Sequence, residues 1–392
     1  MSPRAIIAGA GIAGLTAALA LRPAGFRVAI YERANTLEEF GAGLQLTPNA
    51  TRILSRLGVL ERVVPFASAP GAVLVLRGSD NTELMRMPLD DAERRWGAAY
   101  LLIHRADLQR VLVEAVRGQP GVDVFLGTTV LDFADHGRHV SVGLKSGLAE
   151  DQDDADLLIG ADGLRSLVRD RLGFGTQDQA EFAGRVAYRA IVNAAETNPQ
   201  WRSRDIILRL GAEAHLVQYP LRSGSIVNLV ATIRSTSPTG VADHRPRDSH
   251  PILKRAFAEW SKEVSWLNSA SIQWRPWPLY CRPPIRSFSA GRVALVGDAA
   301  HPMVPFLAQG AAQAIEDAGA LARVLARAED IPAAVSTYSR DRVGRAARVQ
   351  REALKLGRIY HMSGPLAFAR DAAMRLRGPR GLSERYDWLY GA

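Results

Sequence analysis

The fold of this chain is decided by the stretch Ala5-Ile-Ile-Ala-Gly-Ala-Gly-Ile-Ala-Gly-Leu-Thr-Ala-Ala-Leu-Ala-Leu-Arg-Pro-Ala-Gly-Phe-Arg-Val-Ala-Ile-Tyr-Glu32. Its apolar runs predict two buried strands that flank a helix, and Gly9, Gly11 and Gly14 stand at the first turn. In such a unit the first glycine makes the turn, the second admits a pyrophosphate, and the third lets the helix pack closely on the strand. Glu32 ends the second strand, where a carboxylate can bind a ribose hydroxyl. The stretch therefore predicts a Rossmann-like dinucleotide site.

The stretch of residues 292–318 adds a second ligand-binding signal. It predicts a buried strand, a stop at Gly297, a carboxylate at Asp298, a proline-containing loop, and a helix that starts with Gly310-Ala311-Ala312. A carboxylate just past a strand lies where open α/β sheets bind ligands, and a helix N-terminus favours an electron-rich group. A flavin suits both features, because its ribityl chain needs hydrogen-bond acceptors and its reduced ring carries negative charge.

Composition and charge exclude several classes of protein. The chain has 392 residues, a net charge of +9, and Cys281 as its only cysteine. One cysteine allows neither an intramolecular disulfide nor a cysteine metal cluster, and we predict no metal site. The basic residues are scattered, so we predict a surface that attracts anionic small molecules and no nucleic-acid partner. Glycines interrupt the apolar residues 5–21, so we predict no signal or membrane segment and a cytoplasmic location.

The remaining apolar patterns and turn residues predict a layered α/β protein. We expect residues 35–48 to form a loop, residues 49–63, 105–117 and 251–267 to be helical, and the chain after residue 318 to be almost entirely helical. Strands are predicted at residues 71–76, 82–87, 122–126, 128–133, 139–144 and 156–160, within residues 185–233, and at 274–280.

The chain contains several motifs, in the order in which they are given below. With these motifs it resembles the class A, single-component FAD-dependent aromatic hydroxylases, in the branch of salicylate hydroxylase and 3-hydroxybenzoate 6-hydroxylase. The resemblance covers essentially the whole chain. Its motifs are Gly9-x-Gly11-x-x-Gly14, His104-Arg-Ala-Asp107, Gly160-Ala-Asp162-Gly163-Leu-Arg165, Gly211-x-x-x-His215-x-x-x-Tyr219-Pro220, Gly297-Asp298-Ala-Ala-His-Pro302 and Tyr386-Asp-Trp-Leu-Tyr390.

The resemblance implies a fold class, and the order of the predicted elements implies a domain division. The fold is α/β, with a Rossmann-like FAD-binding domain of the glutathione-reductase type, an interposed β-sheet substrate domain and a helical C-terminal region. The FAD-binding domain takes residues 1–72, 98–175 and 285–330, the substrate domain takes 73–97 and 176–284, and the C-terminal helices take 331–392. A cleft between the lobes is a common place for a small-molecule site.

The resemblance also implies a reaction. FAD stays bound, NADH or NADPH reduces it as a transient partner, and O2 adds to give a flavin C4a-hydroperoxide that hydroxylates a small phenolic or hydroxylated aromatic acid. The chain has only one dinucleotide fingerprint and no redox cysteine pair, so it is not an enzyme of the glutathione reductase kind. The nicotinamide must then bind without a Rossmann fold of its own.

The cofactor-binding residues follow from the fingerprint and from the resemblance. Gly9, Gly11, Gly14 and Glu32 hold the ADP half. The resemblance places Arg33 beside the ribose, Arg105 near the pyrophosphate and the Val130 backbone at the adenine. It further assigns Asp162 and Gly163 to FAD and transient NAD(P)H binding, Asp298 to the ribityl hydroxyls, Gly310, Ala311 and Ala312 to the flavin pyrimidine edge, and Gln45 and Pro305 to the pocket wall.

The phenol needs a base, because a phenolate is the better nucleophile. His215 matches the branch's active-site histidine, and Tyr219, four residues on along a strand, would project to the same face. The alternative is a hydrogen-bonded structural histidine and a core tyrosine. We predict a structural role in the turn for His301. Phe306 gives the loop an apolar wall, which argues against a pyridine-type substrate.

Three hypotheses about the function remain open at this point. The first is the aromatic hydroxylase, the second another flavoprotein of this fold, such as a non-hydroxylating reductase or an oxidase, and the third a non-enzymatic nucleotide-binding module. Arg189 and Arg222 are the candidates for a group that binds a substrate carboxylate. We expect a monomer or a homodimer with no membrane partner.

Overall fold

The computed structural model describes residues 2–37, 42–174, 178–238, 249–268 and 272–391. The strands are Arg4–Ala8 (β1), Arg27–Glu32 (β2), Gly43–Leu46 (β3), Ala67–Ser68 (β4), Ala72–Arg77 (β5), Glu83–Pro88 (β6), Leu101–His104 (β7), Val122–Leu126 (β8), Thr128–Asp135 (β9), Val140–Ser146 (β10), Ala149–Ala155 (β11), Leu157–Gly160 (β12), Glu181–Asn193 (β13), Ile206–Leu210 (β14), Ala214–Leu221 (β15), Ile226–Arg234 (β16), Arg275–Cys281 (β17), Ser289–Ala290 (β18) and Val293–Leu295 (β19). The α-helices are Ile12–Leu21 (α1), Pro48–Arg56 (α2), Leu60–Val63 (α3), Ala92–Trp96 (α4), Arg105–Arg117 (α5), Leu167–Leu172 (α6), Ser249–Ala256 (α7), Gly310–Leu325 (α8), Ile331–Tyr360 (α9), Gly364–Arg385 (α10) and Asp387–Tyr390 (α11).

The first strand lies in the middle of a six-stranded sheet with the order β18-β19-β12-β1-β2-β8. All its pairings are parallel except β18 with β19. Ala5 pairs with Val28 on one side and with Leu157 on the other, and residues 5–8 are all buried. A strand that is covered on both faces needs a continuous apolar sequence, so this sheet confirms the predicted strand-helix-strand unit.

Glycines let α1 and α8 pack closely against the carboxyl ends of these strands. A Cβ atom on Gly14 would collide with the Gly9 carbonyl oxygen, and one on Gly297 would lie 2.8 Å from the Ala13 Cβ. Gly9 has a φ of +103°, which other residues rarely adopt. The packing role predicted for the third glycine is confirmed.

A second large sheet has seven strands, in the order β17-β13-β16-β15-β14-β5-β6. Its pairings are antiparallel except for β5 with β14. One face packs on a core that contains Trp274 and residues of α7, and the other face is the wall of the cavity described below. The predicted strands at residues 71–76 and 82–87 are paired as β5 and β6, whereas the division into domains by residue number stays a prediction.

Two local predictions were wrong, and several elements were missed, among them β11. Within residues 35–48, predicted as a loop, β3 pairs with β7 and sets Gln45 opposite Leu102, while residues 38–41 lie outside the described residues. Strand β11 was missed because its acidic sequence has no apolar alternation, and it forms a charged edge beside β10. The helix predicted at residues 251–267 is α7 followed by a separate 3-10 segment, Lys262–Asn268.

The chain after residue 318 is almost entirely helical, as predicted, and α10 packs against β6 of the seven-stranded sheet. Helix α9 is 30 residues long, and α10 contains a kink at Gly378, where φ is +64°. Within the ranges given above, no helix is long and apolar enough to cross a membrane.

Candidate active site

A cavity of about 770 Å³ lies between the two large sheets and the C-terminal helices. This volume is within the range of roughly 300–1,000 Å³ that is usual for small-molecule sites. Much of its wall is aliphatic or aromatic. Predicted site residues that line it are Gly11, Gln45, Arg105, Gly163, His215, Tyr219, Asp298, Pro305, Gly310 and Ala311.

Two helix N-termini open into one end of this cavity. Among the described residues, no side chain caps α1 or α8, and neither helix has an acidic residue in its first turn. A Cβ atom on Gly11 or Gly310 would meet no described atom within 4 Å, so the space in front of both termini is open. Free amide groups and the helix dipole favour an anionic or electron-rich ligand. The two termini therefore fit a ligand such as FAD, which carries a diphosphate and an electron-rich ring.

Glu32 shapes the glycine turn at the same end. Its Oε2 atom accepts a hydrogen bond from the Ala10 amide at 2.8 Å, and its Oε1 atom accepts one from the Ala34 amide at 2.9 Å. Arg33 is exposed beside it. The sequence prediction gave Glu32 only a ribose-binding role, and the structure adds that its carboxylate holds the turn.

Asp298 and Arg105 are the charged groups of the cavity wall near α1 and α8. Asp298 is part of the cavity wall, and the exposed surface of its side chain faces the cavity. The surrounding protein removes water and raises the pKa of Asp298, against the opposing effect of His301 and Arg105. Burial likewise lowers the pKa of Arg105, and Asp298 opposes that shift. The site therefore offers an acceptor and a cation in a poorly hydrated place.

The Gly297-Asp298 turn is held from behind by Asp317 of α8. The Asp317 carboxylate is fully buried and accepts from the Gly297 amide at 2.8 Å and from Arg342 Nε at 2.7 Å. His301 Nε2 lies 2.5 Å from the same carboxylate, which confirms the structural role predicted for this histidine. Burial raises the pKa of Asp317, but His301 and Arg342 outweigh it and the net shift is downward. Sequence analysis missed this hub.

A second polar cluster, also missed, joins the starts of α2 and α8. Gln309 donates to Thr47 Oγ1 at 2.9 Å and accepts from Asn49 at 3.0 Å, and all three side chains are buried. The α8 N-terminus is thereby fixed against α2. In the sequence these are polar residues beside helix starts. Such residues are common at helix termini, so they do not by themselves indicate this cluster.

The cavity face of the seven-stranded sheet carries the predicted catalytic residues. Strand pairing aligns Arg189 with Val230 and Val230 with Val217, so these three side chains form a row across the sheet. His215 and Tyr219 lie two residues on either side of Val217, and all five line the cavity. The expectation that His215 and Tyr219 share a face is met.

Of the two arginines considered for a substrate carboxylate, only Arg189 lines the cavity. Its Nε atom is buried and has no hydrogen-bond partner in the described part of the chain. Burial lowers its pKa, and its guanidinium carbon lies 5.5 Å from the centre of the Trp277 ring. Arg222 instead binds Asp107, with Nε 2.9 Å from Oδ2.

His215 is enclosed by aromatic rings at the other end of the wall. The centres of the Phe306 and Tyr360 rings lie 5.2 and 5.3 Å from its own, and His215 Nδ1 lies 2.7 Å from His361 Nε2. Burial, together with His361 and Arg185, lowers the pKa of His215 well below its usual value. The imidazole is therefore neutral, and its predicted role as a base stays a prediction.

Phe306 depends on a glycine in α9. A Cβ atom on Gly357 would lie 2.5 Å from the Phe306 ring, which is itself packed against His215. We expect Gly357→Ala to lower the free energy of unfolding by about 1–3 kcal/mol, because the extra methyl group overpacks the contact. Gly344→Ala on the same helix is the control: its Cβ atom would meet no described atom within 4 Å. It should be neutral or stabilising in urea unfolding. Similar losses in both variants would contradict the packing argument.

Several predicted residues do not line the cavity. The Asp162 carboxylate caps α6, accepting from Ser166 Oγ at 2.5 Å and from the Val168 amide at 3.2 Å. Val130 packs against the core from β9. The others outside the lining are Gly9, Gly14, Glu32, Arg33 and Ala312.

A parallel sheet with a glycine turn, two open helix N-termini and an adjoining apolar chamber are the features expected of a dinucleotide-binding protein with a small-molecule site. The chain belongs to the FAD binding domain family, whose sequence profile matches residues 3–353. A 3-hydroxybenzoate 6-hydroxylase of Polaromonas naphthalenivorans (strain CJ2) is 35% identical, with 98% of this chain and 95% of that protein covered. The 3-amino-4-hydroxybenzoate 2-monooxygenase PtmB3 of Streptomyces platensis is 36% identical, with 99% and 96% covered. A salicylate hydroxylase solved as a substrate complex has a TM-score of 0.82 and 26% identity, with 100% of this chain and 96% of that chain covered.

Proposed function

We propose that this FAD-dependent monooxygenase hydroxylates a small aromatic carboxylic acid that carries a phenolic hydroxyl group. The observation that carries the proposal is the Arg189 Nε atom, which is buried without a hydrogen-bond partner among the described residues, in a cavity wall that also carries Tyr219 and His215. A buried guanidinium donor without a partner favours a ligand carboxylate. The substrates named for the relatives above, which are hydroxybenzoates, have this chemistry.

The reaction balances as one aromatic C–H, one O2, one NAD(P)H and one proton converted to a phenol, NAD(P)⁺ and water. Bound FAD supplies the ring that accepts the hydride and passes one oxygen atom of O2 to the substrate. The chain's residues bind, orient and exclude water. The aliphatic wall around Val217 and Val230 keeps the chamber dry, which strengthens the polar contacts in it.

The cofactor contacts are part of the proposal. The α1 amides with Gly11 would hold the diphosphate, Asp298 the ribityl hydroxyls, and the α8 start at Gly310 and Ala311 the flavin ring, where the helix dipole favours the reduced form. Glu32, Arg33 and the Val130 backbone would surround the adenosine. Tyr100 donates to Gln45 at 2.6 Å and so fixes Gln45 beside the substrate.

The function is tested by measuring NADH and NADPH consumption across hydroxybenzoates and hydroxypyridines under ¹⁸O2, with mass spectrometry of the products. We expect one or more hydroxybenzoates to stimulate consumption and to gain one labelled oxygen. If no aromatic stimulates flavin reduction and no product carries the label, the non-hydroxylating reductase or oxidase is the better assignment.

Asp298 gives a separate prediction about the cofactor. Asp298→Ala removes the carboxylate that we assign to the ribityl chain, and hydrogen bonds to charged groups contribute about 1.5–3 kcal/mol each. FAD affinity should fall by tenfold or more, measured by fluorescence titration of the apoprotein. Asp90→Ala, which removes an exposed carboxylate paired with Arg204, should retain wild-type affinity. Equal affinities in the two variants would remove Asp298 from the cofactor site.

The domain ranges given above, the cytoplasmic location and the monomeric or homodimeric state belong to the proposal as well. Size-exclusion chromatography with light scattering on the holoenzyme tests the last of these.

A further inference from the structure

Arg185, His361 and His215 form a hydrogen-bonded series, and its last member, His215, is part of the cavity wall. Arg185 Nε donates to His361 Nδ1 at 3.2 Å, and His361 Nε2 lies 2.7 Å from His215 Nδ1. Both histidines are buried. Arg185 comes from β13, His361 from the end of α9, and His215 from β15, so no local sequence motif joins them.

The direction of the series follows from the chemistry of its first member. An arginine guanidinium only donates hydrogen bonds, so His361 Nδ1 must accept. A neutral imidazole has one protonated nitrogen, so the proton of His361 is on Nε2 and is donated to His215 Nδ1. His215 Nδ1 is then the acceptor of its ring, and its own proton is on Nε2.

Arg185 is held in the position that this order requires. Its Nη1 atom donates to the Ala183 carbonyl at 3.3 Å and its Nη2 atom to the Gly357 carbonyl at 3.2 Å. Its guanidinium carbon also lies 5.6 Å from the centre of the Phe306 ring. Three anchors keep the Nε–H aimed at His361.

A protonated His361 would reverse the order, and the surroundings oppose it. Burial, together with Arg185, Arg234 and Arg370, lowers the pKa of His361 to about 3. Glu213 faces Arg185 and Arg234, with its carboxylate 3.0 Å from Arg234 Nη1. The charged groups that shift the pKa of His361 are therefore all arginines, and its imidazole stays neutral at physiological pH.

We propose that Arg185 and His361 lock His215 in the tautomer that carries its proton on Nε2, so that His215 offers the cavity a hydrogen-bond donor instead of a base. Arg185 and His361 are positioning residues. The identity of the acceptor rests on the proposed function: it is the oxygen of a substrate phenolate. The phenol gives its proton to bulk solvent before the chamber closes around it, so the substrate is bound as the phenolate, whose oxygen accepts the hydrogen bond from Nε2. This replaces the base role that the family resemblance implies for His215.

The tautomer is tested directly on the FAD-loaded protein labelled with ¹⁵N-histidine. Long-range ¹H–¹⁵N spectra distinguish protonated from bare ring nitrogens, and His215→Gln identifies the His215 signals by their loss. We expect Nε2 protonated and Nδ1 bare between about pH 6 and 8, close to the usual histidine pKa. His361→Leu should give a mixture of tautomers, and His361→Gln, which keeps a donor, should restore the single form. A bare Nε2 or an imidazolium in the wild type would overturn the proposal.

Kinetics give a second, independent test. Glutamine can donate a hydrogen bond but cannot take a proton, so His215→Gln should retain activity within about tenfold of the wild type. His215→Ala should lose about 100-fold or more. Equal losses would indicate a base and overturn the donor role. If no aromatic substrate is turned over by the wild type, the proposed function fails while the NMR result still decides the tautomer.

Discussion

Asp317→Ala is expected to lower the free energy of unfolding by about 3–5 kcal/mol, because it removes one of the two carboxylates that pair with the buried Arg342 and leaves that charge only partly compensated. Arg342 has a side chain 5% exposed, and it binds Asp317 at 2.7 Å and Glu316 at 2.5 Å. The same substitution frees the Gly297 amide and His301. The turn that carries Asp298 would then lose its support, so weaker FAD retention should accompany the loss of stability. Urea unfolding of the holoprotein and apoprotein measures both effects.

Asp341→Ala is the matched control, since it breaks an arginine pair between the same two helices at the surface. Arg323 and Asp341 lie 3.1 Å apart with side chains 63% and 46% exposed. An exposed pair of this kind contributes less than about 1 kcal/mol. Comparable losses in the two variants would contradict the role of Asp317 as a hub.

The effect of Asp317 should also depend on pH in a defined direction. Its pKa is lowered in the folded protein, so its contribution is complete above the ordinary carboxyl pKa of about 3.9 and is lost as the pH falls below it. The difference between wild type and Asp317→Ala should therefore hold from neutral pH to about pH 5 and narrow under more acidic conditions. A difference that narrows towards alkaline pH would contradict this assignment.

The sequence predicts those parts of the site that depend on local backbone geometry. Gly9, Gly14 and Gly297 lie at close contacts that only glycine permits. Asp298 follows the end of a strand, where open α/β sheets bind ligands. The place of each residue relative to its strand or helix is therefore enough to predict its role. The spacing of His215 and Tyr219 likewise defines a shared strand face. These predictions need only the periods of strand and helix.

The parts that could not be predicted depend on partners distant in sequence. Asp317 pairs with Arg342 of the next helix, and His361, which follows α9, contacts His215 of β15, a residue 146 positions earlier in the chain. Neither contact has a spacing that distinguishes it from ordinary polar residues on a helix. A family motif also leaves side-chain contacts open: the Asp162 carboxylate accepts hydrogen bonds from Ser166 Oγ and from the Val168 amide at the start of α6, while the cofactor role of this segment stays a prediction. A motif specifies residue types, and the packing decides which atoms they contact.

Arg189→Gln is expected to raise the KM for the aromatic acid by roughly 30-fold or more. Removing one partner of a buried, hydrogen-bonded charge pair costs about 2–5 kcal/mol, and each 1.4 kcal/mol is a factor of ten. Arg189→Lys should recover only part of the loss, because an ammonium group cannot provide the planar donor at Nε. Steady-state kinetics with the substrate found in the product screen gives the measurement.

The control for this prediction is Arg222→Gln, which breaks the ion pair with Asp107 outside the cavity and should leave KM unchanged. A phenol that lacks the carboxylate supplies the complementary control, since a residue that binds only that group cannot affect its turnover. If Arg189→Gln weakened turnover of this phenol to the same extent, Arg189 would not be the carboxylate partner. A loss of bound FAD in the variant would assign the orphaned Nε atom to the cofactor. Arg189 lies in the same row of the sheet as Val217, and Val217 lies between His215 and Tyr219. A substrate whose carboxylate is bound by Arg189 would therefore have its phenolic oxygen near His215 or Tyr219. This position would restrict which ring carbon faces the flavin.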